Sequence, residues 1–187
     1  MGSYIEYQPL TLWDKVSVVV YRLGILGTAV VLSVGAYLIG WGGEGLPIDS
    51  LLFAIYITAG LSVFSIHLYM RRLKRNLIGL YIVALSALLV IYLMGGINKP
   101  IVLLLLLPIS GCIGFIGAKE AFCFKLIEGY VIALSLPLYI VIVSLGNLSK
   151  KDASLGLSVI AILYIIFTFR KVFQPLHYDI GDKSAYR

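Results

Sequence analysis

Arg71-Arg72-Leu73-Lys74-Arg75 joins two apolar runs, Leu51 to Met70 and Leu77 to Met94, and holds four of the chain's 15 Lys and Arg residues. Each run has the length that crosses a bilayer, because the hydrocarbon core is about 30 Å thick and a helix rises about 1.5 Å per residue. Cytoplasmic loops collect Lys and Arg. A basic stretch between two spans therefore places its turn on the cytoplasmic side, and every other loop takes its side by counting crossings. Arg71, Arg72, Lys74 and Arg75 are read as orientation and headgroup residues.

Four further runs, Leu23 to Trp41, Ile101 to Ala118, Tyr130 to Leu145 and Leu155 to Phe169, are also free of Asp, Glu, Lys and Arg. The chain has 187 residues, 60% of them hydrophobic and 13% charged, with a mean hydropathy of +1.00. A globular protein carries about 25% charged residues. This sequence has too little polar surface to cover a soluble core. The expectation is an all-α, polytopic helical membrane protein with about six transmembrane helices and both termini cytoplasmic. Residues 1–15 form an interfacial N-terminal segment, 16–169 the helical membrane domain, and 170–187 a cytoplasmic C-terminal tail.

The placement of charge supports this threading. Twelve of the Lys and Arg residues, including Lys15, Arg22, Lys119, Lys125, Arg170 and Lys171, fall on one side, and Lys99, Lys150 and Lys151 fall on the other. The net charge of +6 then has anionic headgroups as its partner rather than nucleic acid, since no basic domain lies outside the bilayer. Arg170 and Lys171 join the Arg71 to Arg75 stretch as headgroup contacts.

Small residues mark the helix contacts. Ala29, Ser33, Ala36 and Gly40 in the first span, and Ala54, Thr58, Ser62 and Ser65 in the second, follow helical spacing. In lipid no hydrophobic effect draws helices together, so close approach along small side chains supplies the packing. The third span is almost wholly large and apolar and is expected to face lipid. Pro108 removes a backbone hydrogen bond from the fourth span, and the freed carbonyl must find a partner inside the protein. Ser110, Gly114 and Ala118 follow, so the second half of that helix is expected to be buried. Pro137 suggests a second kink. Tyr4, Tyr7 and Trp13 suit the headgroup level. The two halves of the chain show no self-similarity beyond hydropathy.

The ionisable candidates lie near the cytoplasmic boundary. Lys119 to Glu128 reads as an amphipathic interfacial helix, with Phe122, Cys123, Leu126 and Ile127 on one arc and Glu120, Lys125 and Glu128 on the other. Its cysteine, Cys123, reads chiefly as a buried, inert thiol, with activation by Lys119 as the alternative. Cys112 lies within the fourth span; the two cysteines form no CxxC pair and no zinc spacing. His67 is the ionisable group well inside a predicted span, and such groups are candidates for function by default. Asp179 and Asp182, with Gly181, read as a turn capped by Asp side chains. No metal or cofactor is assigned.

Lys119-Glu120-Ala121-Phe122-Cys123-Phe124 with Glu128, Asp179-Ile180-Gly181-Asp182-Lys183-Ser184, Ile66-His67-Leu68-Tyr69 and Tyr21-Arg22 resemble an uncharacterised integral-membrane family of cyanobacteria and plastids. The resemblance covers nearly the whole chain. It implies a thylakoid, plasma or plastid membrane and supplies no activity. The leading expectation is a non-catalytic accessory or assembly protein acting through its cytoplasmic face on other membrane proteins or pigment-protein complexes. A small transporter or channel built around the Pro108 and Pro137 kinks is one alternative. A membrane enzyme using His67, Glu120 and Cys123 is the other.

Overall fold

The structure, a computed structural model, describes residues 11–42, 48–94, 99–146 and 148–180. Among the described residues seven helices follow one another: α1 Leu12–Trp41, α2 Ile48–Ser65, α3 Arg71–Leu93, α4 Lys99–Phe124, α5 Ile127–Ser144, α6 Lys150–Val172 and the short α7 Leu176–Ile180. α1, α3, α5 and α6, with Leu105–Phe124 of α4, make five helices long and apolar enough to cross a membrane. The count of six is thereby corrected to five plus α2, whose apolar stretch Asp49–Ser65 is shorter because its helix ends before His67. The expectations for Tyr4, Tyr7 and Asp182 lie outside the described residues.

α1 starts on a capping box. The Thr11 hydroxyl accepts from the Asp14 amide at 3.2 Å, and the Asp14 carboxylate accepts from the Thr11 amide at 2.8 Å. The box satisfies orphan donors of the first turn. α6 starts in the same manner on Ser149, whose hydroxyl accepts from the Asp152 amide.

α1, α2, α4, α5 and α6 form a ring in which each packs on the next, α6 returns to α1, and α3 lies outside against α2 and α4. The contacts are made by small residues. A Cβ on Gly24 of α1 would lie 2.3 Å from the Ser62 hydroxyl oxygen and 2.7 Å from the Thr58 carbonyl of α2. Further along α1, Gly40 meets Ser154 of α6, whose hydroxyl donates to the Ala36 carbonyl at 2.8 Å. Ala36 and Gly40 thus seat α6, while a second stripe of Gly24, Gly27 and Thr28 seats α2. Between α4 and α5 the backbones nearly touch, and a Cβ on Gly129 would come within 2.2 Å of the Gly117 carbonyl oxygen.

Pro108 lies inside an unbroken α4. The carbonyl deprived of its helical donor is that of Leu104, four residues back. On the next residue, the Leu105 carbonyl accepts the Tyr56 hydroxyl of α2 at 2.8 Å, and the Tyr56 carbonyl in turn accepts the Tyr81 hydroxyl of α3 at 2.9 Å. This relay ties the outer helix to the ring. The second half of α4 is buried as expected, with Ile109, Cys112, Ile113 and Ile116 in the core, and most of α3 is exposed.

Two local expectations are corrected. Arg71 to Arg75 is the first turn of α3 rather than a loop, and the turn itself is Ile66 to Met70. The reach of hydrophobic periodicity through His67 concealed that break. Lys119 to Glu128 is likewise not one amphipathic helix: α4 runs to Phe124, Lys125 adopts φ 55°, and α5 begins at Ile127. A non-glycine residue in the left-handed region reverses the chain where a continuing helix was expected.

The α4 and α5 contact predicts a sharp sequence dependence. Gly129→Ala is expected to destabilise the protein by about 1–3 kcal/mol through overpacking. Gly79→Ala, where a Cβ meets nothing within 4 Å, serves as the control. Unfolding in detergent would measure both. Equal stability of the two variants would refute the close α4 and α5 approach.

Candidate functional site: a buried ion network at one end of the bundle

α1, α4, α6 and α7 converge at the end of the ring that carries α7. Five charged side chains meet there in a space that is almost free of solvent. Lys171, in the last turn of α6, is 0% exposed, as is Glu120. The Lys171 ammonium lies 2.5 Å from Glu120 Oε2 and pairs with Asp179 Oδ1. Glu120 Oε1 accepts from Lys119 Nζ at 2.6 Å and from the Tyr21 hydroxyl at 2.7 Å. Asp179 Oδ2 accepts from Arg22 Nε at 2.9 Å and Nη2 at 2.5 Å.

Arg22 does a second job. Its Nη1 donates to the carbonyls of Val172 at 2.9 Å and Gln174 at 2.6 Å, and its Nη2 to that of Pro175 at 3.2 Å. The last carbonyls of a helix have no internal partner and carry partial negative charge. A guanidinium presents five donors in a fixed fork, so Arg22 both pairs with Asp179 and caps α6. Aromatic rings close the network. Lys171 Nζ sits 4.1 Å from the Phe124 ring centroid, Lys119 Nζ 5.5 Å from that of Tyr21, and Phe124 stacks on Tyr178 at 6.3 Å. Ring faces attract cations.

Arg22, Lys119 and Lys171 outnumber Glu120 and Asp179 by one charge, and the Tyr21 hydroxyl gives its proton to the bond with Glu120. Every oxygen of the two carboxylates faces a cation. A buried carboxylate without partners would be severely penalised. The arrangement therefore holds its charges in place and leaves neither carboxylate free to act on a further molecule.

The remaining candidates lie apart from this centre. Glu128 pairs with Arg170 Nη1 at 2.5 Å, with the arginine side chain half exposed. Arg71, Arg72 and Arg75 are exposed, and Lys74 is half-buried. Cys123 is exposed, which corrects the reading of a buried thiol, because the Lys125 reversal leaves the last turn of α4 with an open side. Lys171 is corrected from headgroup contact to core cation, and Asp179 from turn cap to ion-pair partner. Their positions along the sequence suggested the membrane surface, but α7 folds back over them.

His67 lies in the α2 to α3 turn, correcting its placement within a span. Its Nε2 is 3.3 Å from the Ser17 hydroxyl oxygen, and its buried Nδ1 has no hydrogen-bond partner among the described residues. Burial holds its pKa below the usual histidine value. The Lys74 and Lys119 charges push the same way, and Asp179 and Asp14 oppose them.

Sequence reasoning missed Tyr21 and Arg22 as members of the site. Arg22 reads as a boundary cation because the apolar run begins at Leu23, yet α1 starts eleven residues earlier, at Leu12, and buries the guanidinium. An arginine within a spanning helix is itself the signal, since such a charge is costly unless paired in the bundle interior.

Among the described residues, five helices long and apolar enough to cross a membrane, with the shorter α2 beside them, make a polytopic helical membrane protein, in which buried ion pairs tie α1, α4 and α6 to α7 at one end. The chain belongs to the family described as uncharacterized integral membrane protein (DUF2301), whose profile matches residues 61–187. Lys119, Glu120, Lys171 and Asp179 lie within the matched segment, and Tyr21 and Arg22 precede it. No curated protein and no solved structure matches the chain.

Two predictions follow from the charges. Lys171→Met strands Glu120 and Asp179 and is expected to lower stability by about 3–5 kcal/mol. Adding Glu120→Gln and Asp179→Asn to Lys171→Met is expected to restore part of that loss, as read by unfolding in detergent. A single variant as stable as the parent would show that the network does not hold the tail. For His67, a folded-state pKa below the unfolded value of about 6.5 means that its contribution is complete above that pH and is lost as pH falls towards the folded value. The melting temperature should decline below about pH 6.5, and His67→Gln should flatten that decline. An unchanged slope in the variant would remove His67 as its source.

Proposed function

We propose that the protein is a non-catalytic accessory or assembly component of its membrane, acting through the face that carries α7, with both termini on the cytoplasmic side. The observation that carries this reading is the use made of the charged motif blocks. Lys119, Glu120, Lys171 and Asp179 bind one another and fasten α7 to the bundle, so the blocks build a rigid face. Around that face stand large exposed side chains, among them Phe122 at 81% and Phe173 at 73% exposure, with Ile127 and Tyr178. Side chains of this kind at a membrane boundary suit contact with another membrane protein or a pigment-protein complex. The clustering of twelve Lys and Arg residues on the same side supports the orientation. The resemblance of the motif blocks supports a cyanobacterial thylakoid or plasma membrane, or a plastid membrane, as the setting.

A membrane enzyme built on His67, Glu120 and Cys123 gains less support. Glu120 is fully engaged, and no hydrogen bond joins Cys123 to either of the others among the described residues. A small transporter or channel draws support from the apolar cavity in the other half of the ring, but the residues lining it include no ionisable acid or base other than the Tyr139 phenol.

Phe122→Ser with Phe173→Ser should remove a specific co-purifying membrane protein while leaving the melting temperature unchanged. An identical set of bound proteins would sink the accessory reading. Maleimide labelling of Arg75→Cys, in a chain with Cys112→Ser and Cys123→Ser, should occur only from the cytoplasmic side of sealed vesicles, and labelling from the opposite side would overturn the orientation.

A further inference from the structure

The half of the ring remote from α7 forms a half-open cavity of about 600 Å³. Its wall comes from all five ring helices, including Leu32 and Gly35 on α1, Leu52 on α2, Ile109 on α4, Leu136 on α5 and Leu157 on α6. The wall offers a ligand almost nothing polar. Tyr139, Ser110 and Ser144 reach it, but their hydroxyls already donate to the carbonyls of Ala153 at 2.8 Å, Leu107 at 2.6 Å and Ile140 at 2.6 Å. An apolar cavity of about 150 Å³ stays dry and takes up a molecule the size of benzene. One several times larger, set within a hydrocarbon solvent, holds a longer chain.

We propose that this cavity is the binding site for one acyl chain of a membrane glycerolipid. Its depth selects that occupant. The lining runs from Val31 to Ile39 on α1 and from Leu136 to Ser144 on α5, which at the helical rise is about 12 Å. Half of a bilayer's hydrocarbon core is about 15 Å. The site therefore matches the chain of a lipid belonging to one leaflet and is too short for a rigid polyene that crosses both. Below it the buried core residues Ile25, Ile116, Tyr164 and Phe167 fill the ring before the ion network is reached. Toward its other end it extends to Leu51, Gly146 and Ala153, at helix ends where a headgroup resides. Exposed charges of both signs, Lys150 and Lys151 on α6 and Asp49 on α2, lie close by in sequence, which suits a zwitterionic headgroup left at the surface.

The proposal is independent of the accessory reading, and its test reads lipid contact alone. The full chain is placed in vesicles of phosphatidylcholine carrying a diazirine on one acyl chain, illuminated, and mapped by peptide mass spectrometry. Leu32, Ile109 and Leu136 should be labelled at least as heavily as Val83, which is 69% exposed on the outer helix α3. Gly35→Leu and Ala153→Phe, which fill the cavity, should each cut labelling of Leu136 or Ile109 by about fivefold, the loss of roughly 1 kcal/mol of binding. Gly35→Ala, whose added Cβ has ordinary contact room at 3.6 Å from Leu157, should retain it. Three results would overturn the site: interior residues labelled far below Val83, labelling indifferent to both filling variants while their melting temperatures match the parent, or an isoprenoid recovered at one molecule per chain in place of an acyl lipid.

Discussion

The Lys171 ammonium, shut away from water between Glu120 and Asp179, is the constraint on which the rest of this protein turns. A cation so placed is costly unless oppositely charged groups surround it with good geometry. Meeting that requirement brings four elements together: Glu120 from α4, Asp179 from α7, Lys171 from α6, and Tyr21 and Arg22 from α1 to complete the carboxylates' coordination. Because ion pairs have direction and reach only a few ångströms, they set the register of these helices in a way that apolar contacts in lipid do not. Arg22 extends the same lock to the carbonyl of Val172, which ends α6, and to those of Gln174 and Pro175 beyond it, which holds the chain after Val172 folded back.

Away from this end, the ring is held by close approach of small residues. Gly24 against Ser62, Gly40 against Ser154, and Gly117 against Gly129 draw backbones together at three interfaces. Each such approach is a matter of van der Waals contact, the main source of helix association in a hydrocarbon solvent. The two kinds of packing divide the molecule. One end is filled by paired charges and stacked rings, and the other by apolar side chains that stop short of closing and leave about 600 Å³ between them. The working surfaces proposed above, the aromatic rim around α7 and the cavity, lie at these two ends.

The sequence made the membrane character legible, along with the small-residue stripes, the burial behind Pro108 and the exposure of α3, because each depends on side-chain type repeated at helical spacing. It also marked Glu120, Lys119 and Asp179 as unusual. It misjudged what they do. Lys119 to Glu128 has an amphipathic pattern on a helical wheel, but the wheel assumes a continuous helix, and Lys125 breaks it. Asp179 lies 157 residues from Arg22 in the chain, and no local pattern links residues at that separation.

What the sequence determined by itself was the solvent and the elements: long uncharged runs can only satisfy their backbone in lipid as helices, and small side chains at spacing four mark the faces that approach closely. Only the tertiary structure decided which charge meets which. Pairing depends on distances of a few ångströms between segments far apart in the chain, and the fold alone turned boundary cations such as Lys171 and Arg22 inward, to be neutralised there.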